Sequence, residues 1–405
     1  MSRGRVIASA VLGIGLAGGL LASGSARIAS RAGNDAGALG LGGSAHALSV
    51  ASERALLKGE TERARSLAAR SIARAPFKAQ SLRVFGLASI DAKDAERGVA
   101  AMALAGSLGW RDTPTQLWQA EMAARSAAWS VAAERLDALA RRRQAVAEAF
   151  RLMRAIAIVP EGATAVKARL DARPEWRSGF FSFMEPMSPE LARGHEAILD
   201  AVARGRSPEL ASEAAPYVSM LLGRGDFARG RQLWTRWIAR PGSAPAGQLQ
   251  DGSFQRAVRS DAPPSFGWKI RNVPGADATP SKGEGATGIH VEAAVGSSGT
   301  LIDQLLTLAP GTYAFEVDAR ANAAALDSLV WRLDCQGSAA VVLPLELRTL
   351  GRTGEWRRLG GRFSIPAGAG CPAQLLSLGA RSSDGDAAQS ADFTRLRIAK
   401  VGGGA

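Results

Sequence analysis

Small residues recur at a fixed step in the first half of the chain. Ala64, Gly98 and Ala132 stand 34 positions apart, and the same step links Ala68 to Met102 and Leu136, and Ser71 to Ala105 and Leu139. A period this long, far beyond that of any single helix or strand, means one supersecondary unit copied along the chain. Such copies bury their apolar faces only by stacking on one another. Between Leu48 and about Arg240 apolar residues lie three and four apart, the spacing of amphipathic helices, and the small residues mark where a second helix crosses close to a first. Gly59 breaks the first unit, Pro76 stops its second helix, and Thr113 with Pro114 opens the third unit. A later copy reads Gly225, Asp226, Phe227, then Gly230, Trp234 and Trp237, with Pro241 closing it.

Around Pro241 to Leu249 the composition turns to glycine, proline and alanine, and beyond it the apolar period becomes two. Ile289, Val291 and Val295 alternate with smaller or polar residues, as do Tyr313, Phe315 and Val317 after the turn at Pro310 and Gly311, and Leu329, Trp331 and Leu333 before Cys335. Short strands between glycine and proline turns over this length predict a β-sandwich or jelly roll. At 405 residues, 46% of them hydrophobic, the chain has material for two cores. The expected fold class is therefore multidomain α then β, a helical solenoid over residues 47–246 followed by a sandwich over 248–401.

The 34-residue step, the small residues and the closing prolines resemble the tetratricopeptide repeat, which implies a concave face that grips a protein partner. Units two and three lack the closing proline. Residues 145–210, broken by Pro160, Pro174, Pro186 and Pro189, leave the register, so no ligand positions carry over from that family. The C-terminal part resembles jelly-roll carbohydrate-binding modules of families four and nine. The stretches that carry this likeness run from Asp251, Gly252, Ser253 and Phe254 to Phe266, Gly267 and Trp268; from Gln304, Leu305 and Leu306 to Pro310, Gly311, Thr312 and Tyr313; and from Glu355 and Trp356 to Phe363, Ser364, Ile365, Pro366 and Ala367. Asp392 stands where such modules place an acidic residue before the last strand. The resemblance implies glycan binding and leaves room for a structural calcium at Asp392 or at the loop holding Asp384 and Asp386; no other cofactor is expected.

The N-terminus reads as an address. Arg3 and Arg5 precede an uncharged run from Val6 to Ala22, with Ser23, Gly24, Ser25 and Ala26 after it. This is the layout of a secretory signal, and residues 1–26 are either cleaved or kept as a membrane anchor. Residues 27–46, rich in glycine, alanine and serine, read as a flexible linker. The rest of the chain is expected in the periplasm or facing it. Export makes Cys335 and Cys371 a disulfide rather than free thiols, closing a loop that stabilises its domain by roughly 3–4 kcal/mol. His46, His195 and His290 are far apart in sequence and neither cysteine belongs to a CxxC pair, so no metal site of histidine or cysteine ligands is expected, and Asp392 stays the metal candidate.

The formal charge of +13 suits anionic partners. Export turns that preference away from nucleic acid and towards polysaccharide, an acidic one included. The densest run is only Arg141, Arg142 and Arg143, so most of this charge reads as solvated helix faces. Sugar binding by a sandwich needs exposed aromatic rings to stack on pyranose rings, flanked by polar groups for the hydroxyls. Trp331 shares a strand face with Leu329, Leu333 and Cys335, and Tyr313 shares one with Phe315 and Val317, so both read as core. The glycan-binding candidates are therefore Trp268 and Trp356, with Arg357 and Arg358 beside the latter. Acidic residues are too scattered to nominate the facing carboxylate pair of a glycosidase, and no histidine lies in a nucleophile context, so no catalytic residue is assigned.

These features together resemble accessory components of envelope-polysaccharide assembly. The expected function is a non-catalytic exported adaptor whose repeats dock a periplasmic or inner-membrane protein while the sandwich binds glycan, with the membrane touched only through an uncleaved N-terminal segment. The alternative is a structural protein–protein scaffold of the cell envelope with no sugar binding.

Overall fold

The computed structural model describes residues 44–239, 249–262, 265–283, 286–337, 341–347, 353–367, 370–381 and 387–401. The segment read as signal or anchor, nearly all of the 27–46 linker, the Pro241 boundary and the loop of Asp384 and Asp386 lie outside the described residues. The chain divides between Ser207 and Pro208 into two compact units. It is helical first and a β-sandwich afterwards, as the change of period predicts. Among the described residues no helix is long and apolar enough to cross a membrane.

The first unit opens with three antiparallel helix pairs. They are α1 (Ala45–Leu57) with α2 (Thr61–Arg74), α3 (Ala79–Asp91) with α4 (Ala95–Ser107), and α5 (Thr113–Arg125) with α6 (Trp129–Arg141). The 34-residue register is a packing register. Ala64, Ala68, Met102, Ala105, Ala132, Leu136 and Leu139 are all buried, and a methyl group on Gly98 would come within 2.8 Å of the Gly86 carbonyl. The turns obey the same step. Gly59, Lys93 and Ala127, again 34 apart, each hold positive φ at 73°, 67° and 59°. Each turn repeats one pair of backbone bonds, the first being Gly59 N–H to Leu56 O and Glu60 N–H to Ala55 O, which is a Schellman closure of the leading helix. Of these three turns only the first has glycine at the left-handed position.

A charged triad runs through the leading helices of the three pairs. The buried Arg83 on α3 donates to Glu53 Oε1 on α1 at 2.6 Å and to Asp112 Oδ2 at 2.8 Å, and Asp112 also caps the start of α5 through Thr115 N–H. Beyond α6 the register is lost. α7 (Val146–Ile156), α8 (Pro160–Asp171), α9 (Arg177–Ser182) and α10 (Pro189–Arg204) pack around Phe150, Trp176, Phe180 and Phe181, with prolines opening α8 and α10.

The second unit begins with one more helix pair, α11 (Leu210–Gly223) and α12 (Phe227–Trp237), which the sequence groups with the repeats. Two sheets follow. The six-stranded sheet has the order β1-β2-β5-β10-β7-β8, from Val258–Arg259, Lys269–Ile270, Gly299–Leu306, Ala373–Ala380, Leu329–Gln336 and Val341–Glu346. The five-stranded sheet has the order β3-β4-β11-β6-β9, from Ala276–Gly283, Ala286–Ala293, Gln389–Lys400, Gly311–Ala321 and Arg357–Ile365. A short helix, α13 (Ala323–Ser328), joins β6 to β7. Alternation sends Ile289, Val291, Phe315, Val317, Trp331, Leu333 and Phe393 into one shared core. Val295 was expected in the same alternation; β4 ends at Ala293, and Val295 is exposed in the following turn. Cys335 and Cys371 form a disulfide.

Candidate functional site on the five-stranded sheet

With one face of the five-stranded sheet committed to the core, the other presents polar side chains in rows set by strand register. One row crosses Thr279 on β3, His290 on β4, Asp392 on β11 and Arg320 on β6. It ends at Trp356, over whose ring the Arg320 guanidinium lies 5.1 Å from the centroid. The next row places Thr394 beside Asp318 and Asp318 beside Arg358. Trp356 is 38% exposed, so an aromatic ring next to a cation is offered to solvent at the edge of a polar surface.

β11 does not keep one parity along its length. Ala391 and Phe393 point inward, but the register slips between Thr394 and Arg397, and beyond the slip Leu396 and Ile398 are the inward residues. This is a one-residue β-bulge. Arg395 occupies it with φ at 51°, and Leu396 N–H is held by the Gly252 carbonyl. The change of parity brings Thr394, Arg395 and Arg397 all to the outer face. Arg395 reaches Asp318 Oδ2 through Nε at 2.9 Å, while Arg358 Nε donates to Asp318 Oδ1 at 3.0 Å. Two guanidinium groups thus share one nearly buried carboxylate.

The sequence candidates separate on this framework. Trp356 and Arg358 lie on the outer face. Arg357 has the opposite parity, stands at the strand's first position and pairs with Glu355 at 3.2 Å, so it is not part of the row beside Trp356. Trp268 is corrected outright as a stacking platform. It is 1% exposed, packs on Phe254 and Trp331, and donates its indole N–H to the Asp251 carbonyl at 2.9 Å. It borders a cleft of about 370 Å³ lined by Trp234, Gln250, Asp251 and Arg256, yet shows no ring face there. Trp331 and Tyr313 are core, as their parity predicts. Asp392, the candidate calcium ligand, accepts from Arg320 and meets His290 Nδ1 at 2.8 Å. Among the described residues no group of three or more His, Cys, Asp or Glu side chains is placed to hold a metal ion. Arg320, Arg395, Arg397 and His290 escaped the sequence reading because their places on the face depend on cross-strand register and on the bulge.

His290 adds a titratable group to the face. Partial burial works against its charged form, but the Glu292 oxygen 3.1 Å from Nε2 and the Asp392 oxygen at Nδ1 outweigh that cost, and its pKa lies above the ordinary 6.5. With a folded pKa above the unfolded one, its stabilising contribution is complete below about pH 6.5 and is lost as pH rises through the folded value. The urea midpoint of the wild-type chain should therefore fall between pH 6 and pH 8.5 by more than that of His290→Gln. Equal falls in the two proteins would remove His290 from the account.

No family model and no curated protein matches this chain. Solved structures similar to it include one described as "CBM4 structure and function", 16% identical over 32% of this chain and 96% of that chain, with a TM-score of 0.23. Another is TmCBM61 in complex with β-1,4-galactotriose, 12% identical over 39% of this chain and 100% of that chain, TM-score 0.26. A third is the module CBM6cm-2 from Cellvibrio mixtus lichenase 5A in complex with cellotriose, 15% identical over 32% and 91%, TM-score 0.23.

Proposed function

We propose that this chain is a non-catalytic, exported glycan-binding adaptor, with the sugar held on the outer face of the five-stranded sheet and a protein partner docked by the helix pairs of the first unit. The observation that carries the reading is the half-exposed Trp356 ring beside Arg320, at the end of a polar row that continues through Asp392 to His290. Pyranose rings stack on such a ring while the flanking polar groups hydrogen-bond their hydroxyls. A sandwich that had become a protein-docking module would be expected to show a smooth aliphatic patch, and this face carries charged and small residues instead. The disulfide and the N-terminal pattern support export, and the context this reading favours is exopolysaccharide or capsule assembly.

The test is binding of the full chain to an array of bacterial polysaccharides beside Trp356→Ala. Binding to at least one polysaccharide class should weaken about tenfold in the variant, ~1.4 kcal/mol, with its melting curve unchanged. A folded wild-type chain that binds no polysaccharide on the array would overturn the reading.

A further inference from the structure

The outer face is unequally stocked with donors and acceptors. Its most enclosed carboxylate, Asp318, has a side chain only 10% exposed and is already shared by Arg358 and Arg395. Asp392 is likewise taken by Arg320 and His290. Arg358 and Arg395 both engage Asp318 through Nε. Among the described residues their η nitrogens make no hydrogen bond, and Glu316 lies 3.8 Å from Nη1 of Arg358. Arg362 and Arg397 are exposed and have no hydrogen bond or ion pair among the described residues. Around Asp318 and Glu316, four guanidinium groups thus face two carboxylates, and one of those carboxylates is spent.

The floor between these arginines is low. β9 sets Gly360 outward, since a Cβ on the neighbouring Gly361 would meet Leu343 and Leu345 in the core. Cross-strand register puts Gly360 beside Glu316, Ala314 beside Arg362, and Ala399 beside Ala314. A polymer can therefore lie near the backbone with guanidinium groups along its edges. From Trp356 to Arg362 the strand runs about 20 Å at ~3.3 Å per residue, enough for several sugar rings in succession.

Neutral sugar hydroxyls both donate and accept, so a face for neutral glycan needs open acceptors as well as donors. Here the unspent capacity is mostly N–H, with Glu316 the open carboxylate among these residues, and it is carried on planar cations that match the geometry of carboxylate oxygens. The arrangement also runs against local preference. Two like charges are drawn onto one carboxylate, and a non-glycine residue, Arg395, takes a left-handed conformation to reach it. Building on the reading of this face as a glycan site, we propose that its ligand is a carboxylate-bearing polysaccharide, with uronate-type acid groups held by the paired Arg358 and Arg395 and guided by Arg362 and Arg397, and with Trp356 stacking on an adjoining ring.

The experiment uses the full chain with polygalacturonate, alginate and hyaluronate, each beside its carboxyl-reduced form, and with dextran sulfate. At least one acidic polymer should bind tenfold or more tightly than its reduced counterpart, with affinity falling as salt is raised. Arg358→Gln/Arg395→Gln should lose at least tenfold of that binding. Arg362→Gln/Arg397→Gln, which touches exposed side chains only, should lose several-fold with an unchanged melting curve, and it decides the matter if the first pair fails to fold. Equal binding of acidic and reduced polymers, abolished by Trp356→Ala, would overturn the acid preference and leave the glycan reading standing. Equally tight binding of dextran sulfate, indifferent to Trp356, would reduce the face to a bare charged patch. Failure of every polymer with a folded chain would sink both.

Discussion

Replacing Arg83 with leucine should destabilise the helical unit by about 3–5 kcal/mol, because Glu53 and Asp112 would then face each other's surroundings without their shared cation. Burial alone disfavours a charge on Arg83, and the attraction of Asp112 and Glu53 outweighs it, so its pKa is raised. The loss in Arg83→Leu is thus mainly the cost of two stranded carboxylates rather than the worth of the bridge. Urea unfolding followed by the helical far-UV signal measures it. Removing all three charges in Glu53→Leu/Arg83→Leu/Asp112→Ser, with serine keeping the cap of α5, should recover most of the stability. A single-variant loss below about 1 kcal/mol would show that the triad is not shielded from water.

The second large effect concerns the sandwich. Cys335 ends the apolar run of β7 and Cys371 precedes β10, its antiparallel neighbour; they are 36 positions apart and their Cα atoms lie 5.0 Å apart. Opening that loop in the unfolded chain should remove about 4 kcal/mol in the chain-entropy treatment. Cys335→Ala/Cys371→Ala and reduction of the wild type by dithiothreitol should lower the unfolding transition of the β-rich unit by similar amounts. A variant much less stable than the reduced wild type would assign the effect to packing of the two buried sulfurs instead.

The repeat was readable where it depends on bulk. Small residues at Ala64, Gly98 and Ala132 cannot be large without separating helices that touch, so composition recorded the contact. The turns were readable once in three. Gly59 announces the left-handed position, but Lys93 and Ala127 adopt it because the Schellman bonds on either side hold them there, and no residue type marks that. Alternation identified Trp331 and Tyr313 as core for the same reason that it identified the strands. It could not place Trp268, which precedes the two-residue strand β2, too short to set a parity, and whose indole N–H is satisfied by a carbonyl distant in sequence, at Asp251. On β11 strict alternation fails outright: carried through from Ala391 and Phe393, it sends Arg395 and Arg397 into the core.

That failure on β11 has a bearing on how such a surface could be lost or acquired. Removing Arg395 would restore a regular strand in which Thr394 stays outward and Leu396 inward, so every other side chain would keep its face and only the second guanidinium on Asp318 would go. The presence or absence of the paired guanidinium groups on Asp318 can therefore be written as a gap in an alignment. A comparison that scores only substitutions would pass over it, and one that counts residues between Phe393 and the end of β11 would find it.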